Sequence, residues 1–343
     1  MRIAVDAMGG DNAPRVVVEG AVKAAKKLTG VEIILVGHSH QIEEYLKVYH
    51  DKTGSVRVEH AEGVVAMSDS PVEALRKKGN TSIGRCAELA RKGEVNALFS
   101  AGNTGAAVAA ATLAMGTLEG VRKPGIAAPF PTVKGTECVV IDVGANIKPK
   151  PEHLFDYGIM AAEYVEAITG RKNPTIGLMN VGEEEAKGDD FIKQTYALFK
   201  SAPINFIGNV EGRDIFEGEV DVVVCDGFVG NVLLKTAEGT ADALFKVMKQ
   251  EIMKSFISKL GAWICKPAFK TVYRRLNSSA YGGAQLLGVD GICIIGHGSS
   301  DAKAVVNAIT VAVELSNNHA NDRVVSAIKR IREQRPQTKT ATA

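Results

Sequence analysis

The segment Arg2-Ile3-Ala4-Val5-Asp6, continuing as Ala7-Met8-Gly9-Gly10-Asp11-Asn12-Ala13-Pro14, decides how the rest of the chain is read. An apolar run that ends in two aspartates, a glycine pair and a proline has the form of a buried strand handing over to a helix through a tight turn. Glycine lets backbone N–H groups approach an anion, Pro14 suits the first turn of a helix, and a helix N-terminus carries partial positive charge. The turn is thus a candidate anion site, although tight strand-to-helix turns also use glycine for geometry alone.

The same pattern recurs downstream. Short apolar runs suited to buried strands lie at Ile33 to Val36, Ala97 to Phe99, Val139 to Ile141, Ile176 to Met179, Val222 to Val224 and Ile292 to Ile295. Between them, Ser82 to Lys92, Pro151 to Thr169 and Phe191 to Lys200 carry helical period. Alternation of this kind predicts an α/β fold, a largely parallel sheet flanked by helices. The strands open into SAGNTGA (100–106), DVGAN (142–146), MNVGEEEAKG (179–188), CDGFVGN (225–231) and GHGSSD (296–301). Each mixes glycine with Asn, Asp, Ser or Thr, which bind anions but also build turns and helix caps. Right-handed crossovers place strand-end loops on a common side, so these loops together predict one shared cleft.

Length and composition narrow the class. The 343 residues carry 41 basic and 39 acidic side chains, a net +2 that argues against general nucleic-acid binding. Five scattered cysteines without a CxxC pair indicate neither a zinc ribbon nor a disulfide framework, which fits a reduced cytoplasm. Asp6 and Asp11 interrupt what a secretory signal would need as an apolar stretch. The expected organisation is a single α/β catalytic domain over 1–332 and a polar tail over 333–343.

One segment departs from the alternation. Between Thr240 and Leu276 there is no strand signal, and a helix-like stretch carries Phe256, Ile257, Leu260 and Trp263 among eight basic and two acidic residues. The local excess of +6 on an amphipathic pattern suits an anionic bilayer surface or an acidic partner. Packing against the core or a second subunit is the other use of such a stripe. This stretch is read as a protruding basic helical arm, with Arg274 and Arg275 at its end.

Motifs exclude several chemistries. There is no GxxxxGK[ST] loop, no GxGxxG fingerprint and no GxSxG elbow. Asn103-Thr104-Gly105, ahead of the apolar run Ala106 to Met115, is the best anion cradle, with Ser100 as a further donor. His297-Gly298-Ser299-Ser300-Asp301 resembles it, either as a ligand loop or as a capped helix. Lys187 and Arg213, in glycine-bearing segments, are candidate counter-charges.

Taken together, DAMGGDNAP, SAGNTGA, DVGAN followed by KPEHL (150–154), NVG with a downstream KG (180–188), NFIGNVEGRD (205–214), DGFVGNVLLKTAEG (226–239), YGGAQLLG (281–288) and HGSSDAKAV (297–305) resemble the bacterial phosphate acyltransferase (PlsX) family. The resemblance runs in order to about Glu314. It implies transfer of a fatty acyl group from acyl-[acyl-carrier-protein] to inorganic phosphate. The acyl phosphate formed then feeds a membrane acyl-phosphate:glycerol-3-phosphate acyltransferase in phospholipid synthesis. It also implies a fold related to phosphate acetyltransferases and isocitrate-dehydrogenase-like enzymes, a homodimer, and peripheral association with the cytoplasmic membrane.

For such a reaction the residues suggest a division of labour. Gly9, Gly10, Ser100, Asn103, Thr104, Gly105, Arg213, Ser299 and Ser300 are assigned to phosphate. Asp6, Asp11, Lys187, Asn231 and His297 are assigned to orientation, charge, oxyanion and proton roles. Phe256, Ile257, Leu260, Trp263, Arg274 and Arg275 are assigned to membrane or carrier contact. The scheme calls for no metal and no cofactor. Rival readings are a phosphate acetyltransferase acting on a coenzyme A thioester, a metal-dependent hydroxyacid dehydrogenase on a related fold, and a membrane-bound scaffold without chemistry.

Overall fold

A computed structural model describes residues 1–51, 53–77, 79–276 and 282–334. The strands are β1 (Arg2–Asp6), β2 (Glu32–Gly37), β3 (Val56–His60), β4 (Ala97–Ser100), β5 (Gly125–Pro131), β6 (Glu137–Ile141), β7 (Ile176–Met179), β8 (Phe206–Val210), β9 (Val222–Val224), β10 (Ala284–Leu287) and β11 (Ile292–Ile295). They form one sheet in the order β3-β2-β1-β4-β11-β10-β5-β6-β9-β7-β8. Most neighbours are parallel, as alternation of strands and helices requires, but β10 is antiparallel to both β11 and β5, and β5 is antiparallel to β6.

Those three reversals overturn the single common side. From β11 through β10 and β5 to β6 the direction changes three times, so β6, β9, β7 and β8 run opposite to β1, β4 and β11. The ladder shows it residue by residue: Ile295 at the end of β11 pairs with Ala284 at the start of β10, while Ile141 at the end of β6 pairs with Ala127 near the start of β5. The loops after β1, β4 and β11 therefore lie on one margin of the sheet. Those after β6, β7, β8 and β9 lie on the other.

Helices cover both faces. Along β1, Ala4 faces one core together with Leu98, Cys86, Ala107 and Ala111, whereas Ile3 and Val5 face another with Val18, Ala21, Val305 and Ile309. This is the two-residue alternation of a strand buried on both sides. Helix α1 (Arg15–Lys27) packs on α12 (Ala302–Asn317) so closely that a Cβ at Gly20 would lie 2.5 Å from that of Val305. Helices α4 (Ser82–Arg91) and α5 (Thr104–Met115) cover the opposite face. A third core joins α6 (Pro151–Thr169), α7 (Asp190–Lys200) and α13 (Ala320–Gln334) to β6, β7 and β9.

The arm begins earlier than its sequence signal. Helix α9 runs Gly227–Met253, so Gly-Phe-Val-Gly-Asn231 is the opening of a helix and not a loop. It is followed by α10 (Phe256–Ile264) and α11 (Lys266–Leu276). The side chain of Arg274 and residue Tyr281 lie outside what the structure describes, as do residues 335–343. Glu333 and Gln334, assigned to the tail from sequence, close α13 instead.

Candidate anion-binding and catalytic site

The first margin gathers three loops into an interlocked floor. Asp6, at the end of β1, is buried and accepts a hydrogen bond from Ser100 Oγ at 2.7 Å. Ser100 Oγ in turn accepts the Gly102 N–H at 3.1 Å, and the Met8 N–H donates to Asp6 Oδ1 at 3.2 Å. Burial pushes the Asp6 carboxyl above its ordinary range, opposed by the Ser82 and Ser100 hydroxyls and the Met8 and Gly9 amides. Gly9 is required by contact, since a Cβ there would lie 2.7 Å from the Gly102 nitrogen. The third loop joins through Asp11, whose N–H donates to the Gly298 carbonyl at 2.8 Å.

Two helix N-termini open onto this floor. Asp301 caps α12 by accepting the Ala304 N–H at 2.8 Å. Before it, the His297 Nδ1 accepts the Ser299 N–H at 3.2 Å and lies 2.7 Å from Ser299 Oγ. A ring nitrogen that accepts from an amide is unprotonated, so the neutral imidazole carries its hydrogen on Nε2. His297 and Ser299 are exposed and Ser300 is half-buried, which leaves them accessible to a ligand. Thr104, the first residue of α5, is exposed as well.

Asn103 has a different task from the one its sequence position suggests. Its Oδ1 caps α5 by accepting the Ala106 N–H at 3.0 Å. Its Nδ2 reaches the carbonyls of Ala66, Met67 and Asp69 at 3.2, 3.1 and 3.3 Å. Both polar atoms of the carboxamide are thus spent on protein, and the cradle it was assigned to is left to the Thr104 and Gly105 backbone and the Ser299 and Ser300 hydroxyls. The segment Ala66 to Asp69 was missed from sequence; it carries no glycine-rich signature, and only its clamp to Asn103 brings it to the site.

The second margin holds the remaining predicted residues. Asp142 is fully buried and accepts from the amides of Ile126, Gly144, Ala145 and Asn146, which orders DVGAN as a closed turn. Burial raises its carboxyl above the ordinary range against those four amides. Asn231 lies against this turn, with its Nδ2 2.8 Å from where a Cβ on Gly144 would be, and Asp226 caps α9 through the Phe228 and Val229 amides. Arg213 faces Glu183, Glu211 and Asp214 at 3.7, 3.5 and 3.7 Å, so its charge is already offset. Lys187 is exposed on the neighbouring loop, and its carbonyl accepts from Asn180 Nδ2 at 3.1 Å. The structure does not join Lys187, Arg213 and Asn231 to the His297 loop at one strand end.

Residues 1–323 match the model of a family described as fatty acid synthesis protein. The chain belongs to that family. A protein of Pelotomaculum thermopropionicum named phosphate acyltransferase is 49% identical over 331 residues, covering 96% of each chain. Proteins of the same name from Geotalea uraniireducens and Dictyoglomus turgidum are 46% and 42% identical, over 96% of this chain and 94% and 98% of theirs. With relatives so named along nearly their whole length, this member of the family is an acyltransferase.

Solved structures support the architecture. A phosphotransacetylase from Streptococcus pyogenes superimposes with a TM-score of 0.60 at 14% identity, covering 92% of this chain and 94% of that one. EutD phosphotransacetylase from Staphylococcus aureus gives 0.56 at 12% identity with the same coverage. Identity at this level speaks for the fold alone.

Proposed function

We propose that the protein transfers a fatty acyl group from acyl-[acyl-carrier-protein] to inorganic phosphate, yielding acyl phosphate and free carrier protein. The observation that carries this reading is the interlock of the loops after β1, β4 and β11 beneath the N-termini of α5 and α12, in a chain of this family. Each helix N-terminus contributes about half a positive charge to an anion at its first turn. Thr104, Gly105, Ser299 and Ser300 supply donors there.

The chemistry needs positioning more than a strong base, because phosphate is already largely anionic near neutrality, its second pKa in esters being about 6. A phosphate oxygen attacks the thioester carbonyl carbon, the C–O bond forms, and the carbonyl oxygen becomes an oxyanion. A fixed donor at that oxygen is typically worth about 3 kcal/mol, and with the Gly9 N–H turned to Asp6 the Gly10 N–H is the candidate in this turn. Collapse breaks the C–S bond. The departing thiolate, with a pKa of about 8.5 if it behaves like cysteine, takes its proton from solvent, while His297 Nε2–H can donate a hydrogen bond to the sulfur as it leaves.

The second margin fits a contact between copies. Ile147, Val181, Phe228 and Val232 leave large apolar side chains in water there, a surface that asks for a partner. We propose a homodimer in which this margin of one copy packs beside the first margin of the other, so that Lys187 of one copy reaches the phosphate of its partner. The arm adds a third surface: Phe256, Ile257, Leu260 and Trp263 are all exposed, amid basic residues suited to an anionic bilayer and to an acidic carrier. Arg275 lies against Gly135 of the β5–β6 turn, so the end of the arm folds back onto the domain. No helix among the described residues is long and apolar enough to cross a membrane. Peripheral attachment at the cytoplasmic membrane is the arrangement proposed, where acyl phosphate meets the membrane enzyme that acylates glycerol 3-phosphate.

The test is phosphate-dependent loss of a long-chain acyl-carrier thioester, with acyl phosphate trapped by hydroxylamine and a coenzyme A thioester run beside it. Acyl hydroxamate from the carrier substrate is expected. Turnover with coenzyme A alone would replace the carrier as donor, and none with either would remove acyl transfer to phosphate.

A further inference from the structure

The segment between β3 and α4 carries an apolar side chain to the edge of the anion cradle. Its backbone is fixed from three sides. Asn103 Nδ2 holds the carbonyls of Ala66, Met67 and Asp69. Asp69 Oδ2 accepts the Ala66 N–H at 2.8 Å while the Asp69 N–H donates to the Ala66 carbonyl at 3.1 Å, closing a tight turn. Further on, Pro71 presses against the start of α5, where a Cβ on Gly105 would lie 2.6 Å from the proline Cγ.

Held at its carbonyl by Asn103, Met67 extends its side chain to the Gly298 loop. Its Cε is 3.5 Å from where a Cβ on Gly298 would stand, and the Asp11 carboxylate oxygens are 3.3 and 3.4 Å from the same point. Met67 nevertheless remains 55% exposed. A methionine held in water by a locked backbone, beside the loop of His297 and Ser299, has no packing reason to be there. Its thioether is flexible, apolar and a weak acceptor at most.

We propose that Met67 contacts the acyl chain of the thioester beyond its first four carbons and sets the preference for chain length, with Asn103 as the positioning residue that holds it. The inference rests on the acyl-transfer reading above. A carbonyl attacked by phosphate in this cradle carries two substituents, the acyl chain and the thiol arm. The arm of a pantetheine thiol bears amides that need hydrogen-bond partners, which Met67 does not supply. The hydrocarbon chain needs only apolar contact.

The experiment measures acyl phosphate formation from butyryl and palmitoyl thioesters on one carrier by the wild type, Met67→Gln and Met67→Leu. Met67 is exposed, so neither substitution threatens the core. Met67→Gln is expected to lower kcat/KM for the long chain on the order of tenfold more than for the short one, the scale of one lost apolar contact. The KM for phosphate stays unchanged, and Met67→Leu keeps the wild-type profile. An equal fall for both chains, or a rise in phosphate KM, overturns the role of Met67 while leaving acyl transfer standing. A wild type that makes no acyl phosphate from either thioester overturns both.

Discussion

The Ser100 hydroxyl donates to the Asp6 carboxylate at 2.7 Å across the ends of two neighbouring strands, β4 and β1. Because Ser100 Oγ also accepts from Gly102, the chain of bonds runs from a buried carboxylate to the glycine backbone directly above it. Gly9 meets Gly102 there at a separation that admits no side chain. Asp6 thus orders the surface on which an anion would rest without reaching the anion itself.

Replacing Asp6 by Asn tests the electrostatic side of this arrangement. The folded carboxyl is raised above its ordinary value of 3.8 by burial, so protonation favours the fold. The associated stability is fully present below the unfolded pKa and is lost as pH rises through the folded one. Asn keeps an acceptor for Ser100 and cannot ionise. Thermal unfolding should show Asp6→Asn gaining on the wild type as pH rises above 3.8, and parallel curves for the two proteins would remove the buried charge from the account.

Asn103 separates into two functions that two substitutions can distinguish. Asn103→Asp keeps an oxygen to cap α5 but loses the amide hydrogens that hold Ala66, Met67 and Asp69. Asn103→Ala loses both, and the missing cap alone costs about 1 kcal/mol. Urea unfolding is expected to show a clear loss for Ala and a smaller one for Asp. Both variants should lose kcat/KM for the thioester, since the 66–69 turn is released in each. Full activity in Asn103→Asp would show that the clamp is dispensable.

The exposed face of α10 is expected to govern lipid attachment. Phe256 and Trp263 are 81% and 72% exposed, so Phe256→Ser with Trp263→Ser should leave the melting temperature unchanged. Co-sedimentation with anionic phospholipid vesicles is expected to fall sharply and to be weakened further by salt. Retained sedimentation would assign this face to another contact.

Which parts of this were legible in the sequence follows from the physics of each element. Val222–Val224 and Ile292–Ile295 are apolar throughout because both sheet faces are covered, and their bounds were readable from composition. β5, Gly-Ile-Ala-Ala-Pro-Phe-Pro131, hides behind two prolines, and β10 is a short run after the arm. These two strands reverse the sheet, so missing them meant missing the division into two margins. Local loop chemistry placed Asp6, Ser100 and His297 in one neighbourhood but could not say that Asn231 and Lys187 lie at the other end of the strands. Asn103 was legible as a cap or cradle residue, whereas its hold on Met67 spans more than thirty positions with no periodic trace.

The separation of Lys187 from His297 makes a subunit-mixing experiment decisive. Among the described residues no carboxylate pairs with Lys187, whereas Arg213 sits among three, so Lys187 has charge to offer a phosphate. Lys187→Ala is therefore expected to raise the phosphate KM well beyond any change in Arg213→Ala. If Lys187 of one copy serves the His297 loop of the other, unfolding and refolding Lys187→Ala together with His297→Ala produces heterodimers in which one of the two sites is intact. Hydroxylamine-trapped acyl phosphate, measured at one low phosphate concentration, should rise in the mixture above what either variant gives alone. No rise in heterodimers verified by differential tagging would place both residues in one subunit's site, with the twist of the sheet bringing its two margins together.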